Sequence, residues 1–318
     1  MAVTKIEDVI QPELFSQYVI DKTTEKSEIM NAGVVENNAE LNRLITGGGT
    51  ILTMPKWNDL SGKSQVLDDT NPIEVSNITS KSELATVLIR ANAWGAHELA
   101  GAIAGDDPMR AIAERVADWW VRDEKSNIMS ILNGVFASDS MASLVSDVTS
   151  NSDTKISASA VLDAKQLMGD ASDLLTMIYM HSATFTELQK QNVIQFIPVA
   201  ESKIQIPTYL GYRVVTDDSA PVADGKYTTY LLARGAIQRG MGVPVSLTTV
   251  ETDRDSLGST DYLINRQAKV LHPKGISWIG GANIKGATPS DEELATGANW
   301  NLVSDIKKIG MVKLVHTL

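Results

Sequence analysis

The sequence predicts an α+β fold, and three observations carry that prediction. Residues from about 107 to 136 keep apolar side chains on one helical face over roughly 28 residues, a rod on the order of 40 Å long. Residues of about 157–250 mix short helical and strand patterns with brief joins. From Leu257 onward the chain returns to long strand-like runs, YLINRQAKVLH, GISWIG and KKIGMVKLVHTL.

The elements follow in order. QPELFSQYVIDKTTEKSEIMNAG reads as a short helical arm with apolar Leu14, Phe15, Tyr18 and Val19 and little of its own to pack on. Gly47-Gly48-Gly49 breaks the chain, and Thr50 to Trp57 (TILTMPKW) is β-branched with a Pro that suits an edge strand. Asn58 to Ser82 is rich in Asn, Asp, Ser and Gly, which is loop chemistry. Glu83 to Trp94 (ELATVLIRANAW) again reads as a strand, so the two strands frame a long hairpin. Loops this long in compact domains usually carry function. Pro108 suits the first turn of the long helix, whose apolar face runs through Met109, Ile112, Val116, Trp120, Ile128, Ile131, Leu132 and Val135. Only Asp123 and Glu124 interrupt that face.

Residues 137–156 are Ser- and Asp-rich and read as a linker. ASAVLDAKQLMG is a helix ending at Gly169, DLLTMIYM a buried strand, and SATFTELQKQNVIQF a helix capped by Ser182. KIQIP, YRVVTDD, YTTYLLARG and VPVSLTTVET read as further strands, and TPSDEELATG as a capped helix.

Composition narrows the function. The 318 residues suffice for a sizeable core, and the net charge is -11. Specific nucleic-acid binding needs a basic footprint that this balance does not supply. The absence of cysteine excludes disulfides, thiolate catalysis and zinc-thiolate sites. Glu7, Asp8 and Glu13 fall where a signal peptide needs an apolar run, and no stretch approaches the roughly 20 apolar residues of a membrane span. A cytosolic product with no membrane partner is the expectation.

Catalytic and ligand-binding signals are weak. Gly62-Lys63-Ser64 lacks the earlier Gly of a phosphate loop, since Trp57 stands there, and no helix follows. MHSAT puts Ser182 at a strand-to-helix junction, but Met180 and Thr184 replace the small flanks of a nucleophile turn. A helix cap is the favoured role. A hydrolase using Ser182 with a histidine and Asp217 is the remote alternative. Asp68-Asp69, Asp217-Asp218 and Asp291-Glu292-Glu293 show no calcium-loop spacing, and the four histidines form no H-x-x-x-H pair. No catalytic residue, cofactor or metal is expected. Trp119 stands beside Trp120 on the long helix, so the helix is covered on two sides, which suits a domain junction or a subunit contact. His272, in VLHPKGISW, ends a strand before a Pro-Lys-Gly turn, and a structural role is expected of it, with a pH-sensitive subunit contact as the lesser reading.

The order of these segments resembles the major capsid proteins of tailed bacteriophages, the Hong Kong 97-like capsid fold. It is most similar to members from long-tailed phages of Gram-positive hosts. The resemblance rests on IEDVIQPELFSQYVI, LTMPKWNDLSGKSQVLDD, RANAW, DPMRAIAERVADWW, MHSAT, LGSTDYLINR with VLHPKGISW, and TPSDEELATGANW. It implies an N-terminal arm at 1–45, an extended loop at 46–94 and a peripheral domain from 95–156 and 251–318 with the 107–136 helix as its spine. An axial domain at 157–250 completes the chain. It further implies hexamers and pentamers of this chain in an icosahedral shell around packaged double-stranded DNA that is not specifically bound. A portal protein and a separate scaffolding protein are implied partners, the latter because the sequence begins directly with the arm. Assembly is expected in the host cytoplasm, in the capsid of a virion. The expected subunit-interface residues are Phe15, Tyr18, Trp57, Asp59, Lys63, Asp68, Asp69 and Trp119. Some members crosslink a loop Lys to an Asn of another subunit. Lys56 and Lys63 lie in the loop here, but crosslinking is not expected. An encapsulin-like nanocompartment shell shares the fold and is the alternative.

Overall fold

The computed structural model describes residues 32–58, 60, 62–65, 75–104, 108–150, 153–198, 205–244 and 246–318. Its spine is the helix Pro108–Ala137, 30 residues long, within one residue of the boundaries read from its periodicity. The face it buries is the expected one, including Met109, Val116, Trp120, Ile128, Ile131, Leu132 and Val135. Its C-terminal end meets another backbone directly: a Cβ on Gly134 would stand 2.0 Å from the carbonyl oxygen of Leu294. Only glycine fits there. The helix Asp291–Leu294 that supplies this carbonyl starts with a capping box between Ser290 and Glu293.

Two larger sheets flank the spine. One runs Val35–Asn37, Ile237–Gly242, Thr260–Pro273 and Val250–Asp255, with Leu88–His97 pairing along the long strand Thr260–Pro273. The other has eight strands in the order Val145–Asp147, Met311–His316, Lys226–Ala233, Leu175–Met180, Tyr212–Thr216, Gln205–Tyr209 and Gln195–Pro198, with Val222–Ala223 against Lys226–Ala233. Parallel and antiparallel pairs coexist in both. Sheet membership crosses position 250 in both directions. Ile237–Gly242 joins the first sheet, and the C-terminal strand Met311–His316 lies inside the second.

The interruption of the spine's apolar face is where the helix is fixed to the first sheet. Arg239 Nε lies 2.8 Å from Glu124 Oε1 and its Nη2 lies 3.0 Å from Glu124 Oε2, both side chains being buried. Lys269, fully buried on the long strand, reaches Asp123 at 2.6 Å. One turn earlier, Trp120 Nε1 donates to Asn265 at 2.7 Å. Charges this deep persist only when paired and hydrogen-bonded. They therefore set the position of the helix along the strand, which apolar contacts alone specify weakly.

Three readings of the sequence need correction, and one strand has no counterpart in it. The linker of 137–156 is not a linker: Met141, Leu144, Val148 and Ile156 are buried, and Val145–Asp147 pairs in parallel with the last strand. Its polar residues hid a sparse set of apolar anchors. The helix begun at Ser182 ends at Lys190; Asn192 turns the chain at φ 57, and Gln195–Pro198 is a strand. In VPVSLTTVET only the end is strand, as part of Val250–Asp255. Ile237–Gly242 is a strand that Arg239, Gly240 and Gly242 disguised. Those glycines admit Leu41 and Ile45 of the helix Ala39–Thr46, since Cβ atoms there would come within 2.6 and 2.9 Å of them. The last part of the 1–45 segment is thus packed in the body, with Val34, Val35, Leu41 and Ile45 buried.

The ion pair makes a quantitative prediction. Arg239→Met alone leaves Glu124 charged and buried and lowers unfolding free energy by about 3–5 kcal/mol. Adding Glu124→Leu returns most of that loss, measured by urea unfolding. A double variant as unstable as the single one would show that the pair is not coupled.

Candidate assembly surface and its anchor

Ile51–Trp57 and Ser80–Thr86 pair antiparallel, from Ile51 opposite Thr86 to Trp57 opposite Ser80. They form a two-stranded sheet separate from the others. Seven residues per strand make a ribbon about 24 Å long. At its root Leu52, Ala85 and Val87 pack with Leu41, Ile45, Ala268 and Val270. Toward its far end the burial stops: Trp57 is 68% exposed, and Leu60 and Val75 beyond it are 81% and 91% exposed. A two-stranded ribbon is marginal alone in water, so its direction depends on how the root is held.

A carboxylate midway along the ribbon, opposite Met54, adds polar anchoring to that packing. Glu83 accepts from Lys56 Nζ at 2.9 Å across the ribbon, from Ser304 Oγ at 3.1 Å and from the Gly275 N–H at 3.3 Å. Lys56 and Ser304 meet Oε1, while Oε2 takes the Gly275 N–H and stands 3.3 Å from His272 Nε2. An ionised carboxylate has no proton to give, so this nitrogen is the donor. Lys56 also donates to Ser304 Oγ at 2.9 Å, and the Leu84 N–H donates to Ser277 Oγ at 3.1 Å. The cluster relieves a conflict in the ribbon, where Lys56 and Lys81 face each other directly. Lys81 turns instead to the Val303 carbonyl at 3.5 Å. Burial by itself raises the Glu83 pKa. Hydrogen bonds from His272 and Lys56, with the charges of both partners, outweigh it and lower the pKa from 4.5 to about 2.

His272 has a structural role inside this cluster. His272 is 1% exposed, pairs with Gln238 in the sheet and holds Glu83. It faces its own chain, so the reading as a subunit contact does not stand. The Pro273-Lys274-Gly275 turn brings the Gly275 N–H to Glu83 in a left-handed conformation, φ 81, that glycine adopts freely.

Of the expected interface residues, Trp57 and Lys63 are exposed on or beyond the ribbon. Trp119 is half-buried, edge-on to Trp94 at 5.5 Å and to Trp120 at 4.7 Å. Phe15, Tyr18, Asp59, Asp68 and Asp69 lie outside the described residues. Glu83, Lys56 and Ser304 were not anticipated as a cluster. Glu83 lies 189 residues from His272 and 221 from Ser304, so no local spacing could mark it.

The hydrolase reading fails on geometry. His181 caps the helix Ser182–Lys190, its Nδ1 accepting the Ala183 N–H at 3.0 Å, so Ser182 is not the cap. Ser182 Oγ donates straight to Asp218 with no histidine between them. Asp217 is taken by Lys125 and by Ser219. Among the described residues no His, Asp or Glu group could hold a metal ion, and no helix is long and apolar enough to cross a membrane.

The fold has counterparts among solved structures. The capsid of cyanophage Pam1 superposes with a TM-score of 0.60 at 10% identity, covering 93% of this chain and 92% of that one. The capsid of Ralstonia phage GP4 does so at 0.58 and 9% identity, covering 90% and 87%. The fold is thus the Hong Kong 97-like fold. The "Major capsid protein 13-like" (Gp13-like) family model matches residues 107–312. The major capsid protein of Bacillus phage SPP1 is 45% identical over 325 residues, covering 100% of this chain and 99% of that protein. The chain belongs to the Gp13-like major capsid protein family, and its role is structural rather than enzymatic.

The low pKa of Glu83 fixes a pH window. A carboxylate held below its unfolded value stabilises fully above pH 4.5 and loses that contribution as pH falls toward 2. The contribution is on the order of 3 kcal/mol. Urea unfolding of the wild type between pH 5 and 2 is therefore expected to show an acid loss that Glu83→Gln lacks, the variant being already weaker at pH 7. Parallel pH curves for the two would remove Glu83 from the anchor.

Proposed function

We propose that this chain builds an icosahedral phage shell as hexamers and pentamers, with the ribbon of 46–94 lying over a neighbouring copy. The observation that carries this reading is the ribbon itself. It is clamped at Glu83, while Trp57, Leu60 and Val75 beyond it have no cover within the described chain. A rigid root with an apolar far end is suited to contact a second subunit. Residues 1–45 serve as the arm, 95–156 and 251–318 as the peripheral part, and 157–250 as the axial part around the symmetry axes. The strands Ile237–Gly242 and Met311–His316 tie the last two together.

The net charge of -11 supports a shell that encloses double-stranded DNA without gripping it. A separate scaffolding protein guides assembly, a portal occupies one vertex, and assembly takes place in the host cytoplasm. These partners are what the resemblance to tailed-phage capsid proteins implies. The lack of cysteine suits assembly in a reducing compartment.

Expression of the full chain with its scaffold tests the reading. Negative-stain microscopy is expected to show closed shells or free hexamers. Deleting residues 58–79 is expected to leave a folded chain that forms neither, because the described residues among them lie outside the core clusters. A chain that stays monomeric with its scaffold, or a deletion variant that still closes shells, contradicts the role given to the ribbon.

A further inference from the structure

A cavity of about 160 Å³ lies between the outer half of the ribbon and the body segment 303–308. Lys56, Trp57 and Lys81 line it from the ribbon, and Val303, Asp305 and Lys308 line it from the body. Lys56 and Lys81 stand directly opposite each other in the register, so both ammonium groups leave the ribbon on the same face. Glu83 answers Lys56 at 2.9 Å. Among the described residues no carboxylate answers Lys81, whose hydrogen bond to the Val303 carbonyl is long, at 3.5 Å. Asp305, the carboxylate in the wall, is turned to its own short helix, where its Oδ1 accepts the Lys307 N–H at 3.0 Å. In a chain with a net charge of -11, this pocket concentrates positive charge.

We infer that the pocket binds a free tetrahedral oxyanion of the inorganic phosphate type, and that the anion ties the outer half of the ribbon to the body. The donors are in place. An ammonium carries three protons. Lys56 spends two of them on Glu83 and Ser304, and Lys81 spends one on Val303. The remaining protons of both, with the ammonium of Lys308 across the cavity, give an oxyanion charge-assisted hydrogen bonds from ribbon and body at once. An anion there also offsets the repulsion between the two facing lysines, which Glu83 relieves from the Lys56 side alone. The size suits a single small anion. A water molecule takes roughly 30 Å³, so 160 Å³ holds an oxyanion and a few waters but not the sugars that flank a phosphodiester. The consequence is mechanical. Glu83 fixes the ribbon opposite Met54, and the anion adds a second tie further out, at the Lys56–Lys81 pair.

Binding needs one chain only, so the unassembled protein serves for the test and the outcome does not depend on shell formation. Amide hydrogen exchange is followed near neutral pH in sodium orthophosphate and in sodium chloride of equal ionic strength. A ligand held only by the closed form slows exchange in proportion to one plus its concentration over its dissociation constant. At roughly ten times that constant, ribbon amides of 80–82 are therefore expected to slow about tenfold. The effect is expected to saturate with phosphate. Lys81→Gln combined with Lys308→Gln is expected to remove it, and Lys81→Arg to keep it. Both positions are exposed, so these variants fold. Phosphate that slows exchange equally in the wild type and the double variant, as a salt excluded from the whole surface does, overturns the inference. So does the absence of a saturating effect in the wild type.

A duplex oligonucleotide with hydroxyl ends separates the two sources of phosphate chemistry. It is added at the same ionic strength without orthophosphate, and no slowing of 80–82 is expected. Slowing by the duplex overturns the assignment to a free anion.

Discussion

A single buried carboxylate, Glu83, decides where the ribbon points. Its two oxygens collect a lysine from the opposite strand, a hydroxyl, a histidine and a backbone N–H. No subset of these donors would do the same work. Lys56 ties the two strands of the ribbon together, while His272, Gly275 and Ser304 tie the ribbon to the body. Removing the carboxylate would leave Lys56 facing Lys81 without compensation and His272 buried without an acceptor. Because leaving a buried group unpaired costs more than a pair gains, the cluster behaves as a unit. The long exposed end of the ribbon then inherits its direction from a few atoms at the root.

The rest of the body supplies a floor for that root. Glu83 meets residues at the end of Thr260–Pro273, and the same strand is fixed to the spine helix by Lys269 and by Asn265. Arg239, on the neighbouring strand, adds an ion pair with Glu124 that is hydrogen-bonded through its Nη2. The position of the helix along the sheet, the position of the sheet, and the exit of the ribbon are thus connected through polar contacts inside an apolar core. Apolar packing supplies the bulk of stability, but it tolerates sliding that directed hydrogen bonds do not. For a protein that must present the same outline in every copy, such definition matters more than the last increment of stability.

How much of this was legible in the sequence differs by element. The spine helix was plain, because its periodicity persists over many turns, and the two charged residues that broke the pattern marked the point where it is fixed. The long strands at the C-terminal end were legible from their β-branched runs. Ile237–Gly242 was not, because its buried arginine and its two glycines answer to the helix Ala39–Thr46 and to Glu124, partners far away in sequence. The linker reading of 137–156 failed because composition was dominated by outward-facing Ser and Asp, while four apolar residues did the anchoring. Glu83 was seen only as the first residue of a strand. The reading ELATVLIRANAW as one strand was nearly right: it divides at Val87 into a ribbon half and a half that pairs with the long strand. Nothing local distinguishes a carboxylate that will be solvated from one that will meet His272 and Ser304.

The central claim is that the ribbon's root is rigid before assembly and only its far end waits for a neighbour. Amide hydrogen exchange on the unassembled chain and on closed shells tests it most directly. Amides of 83–86 are expected to be protected in both states, and those of 75–79 to gain protection only in the shell. Root amides that exchange freely until the shell forms would contradict it, because the neighbour rather than Glu83 would then be setting the ribbon's direction.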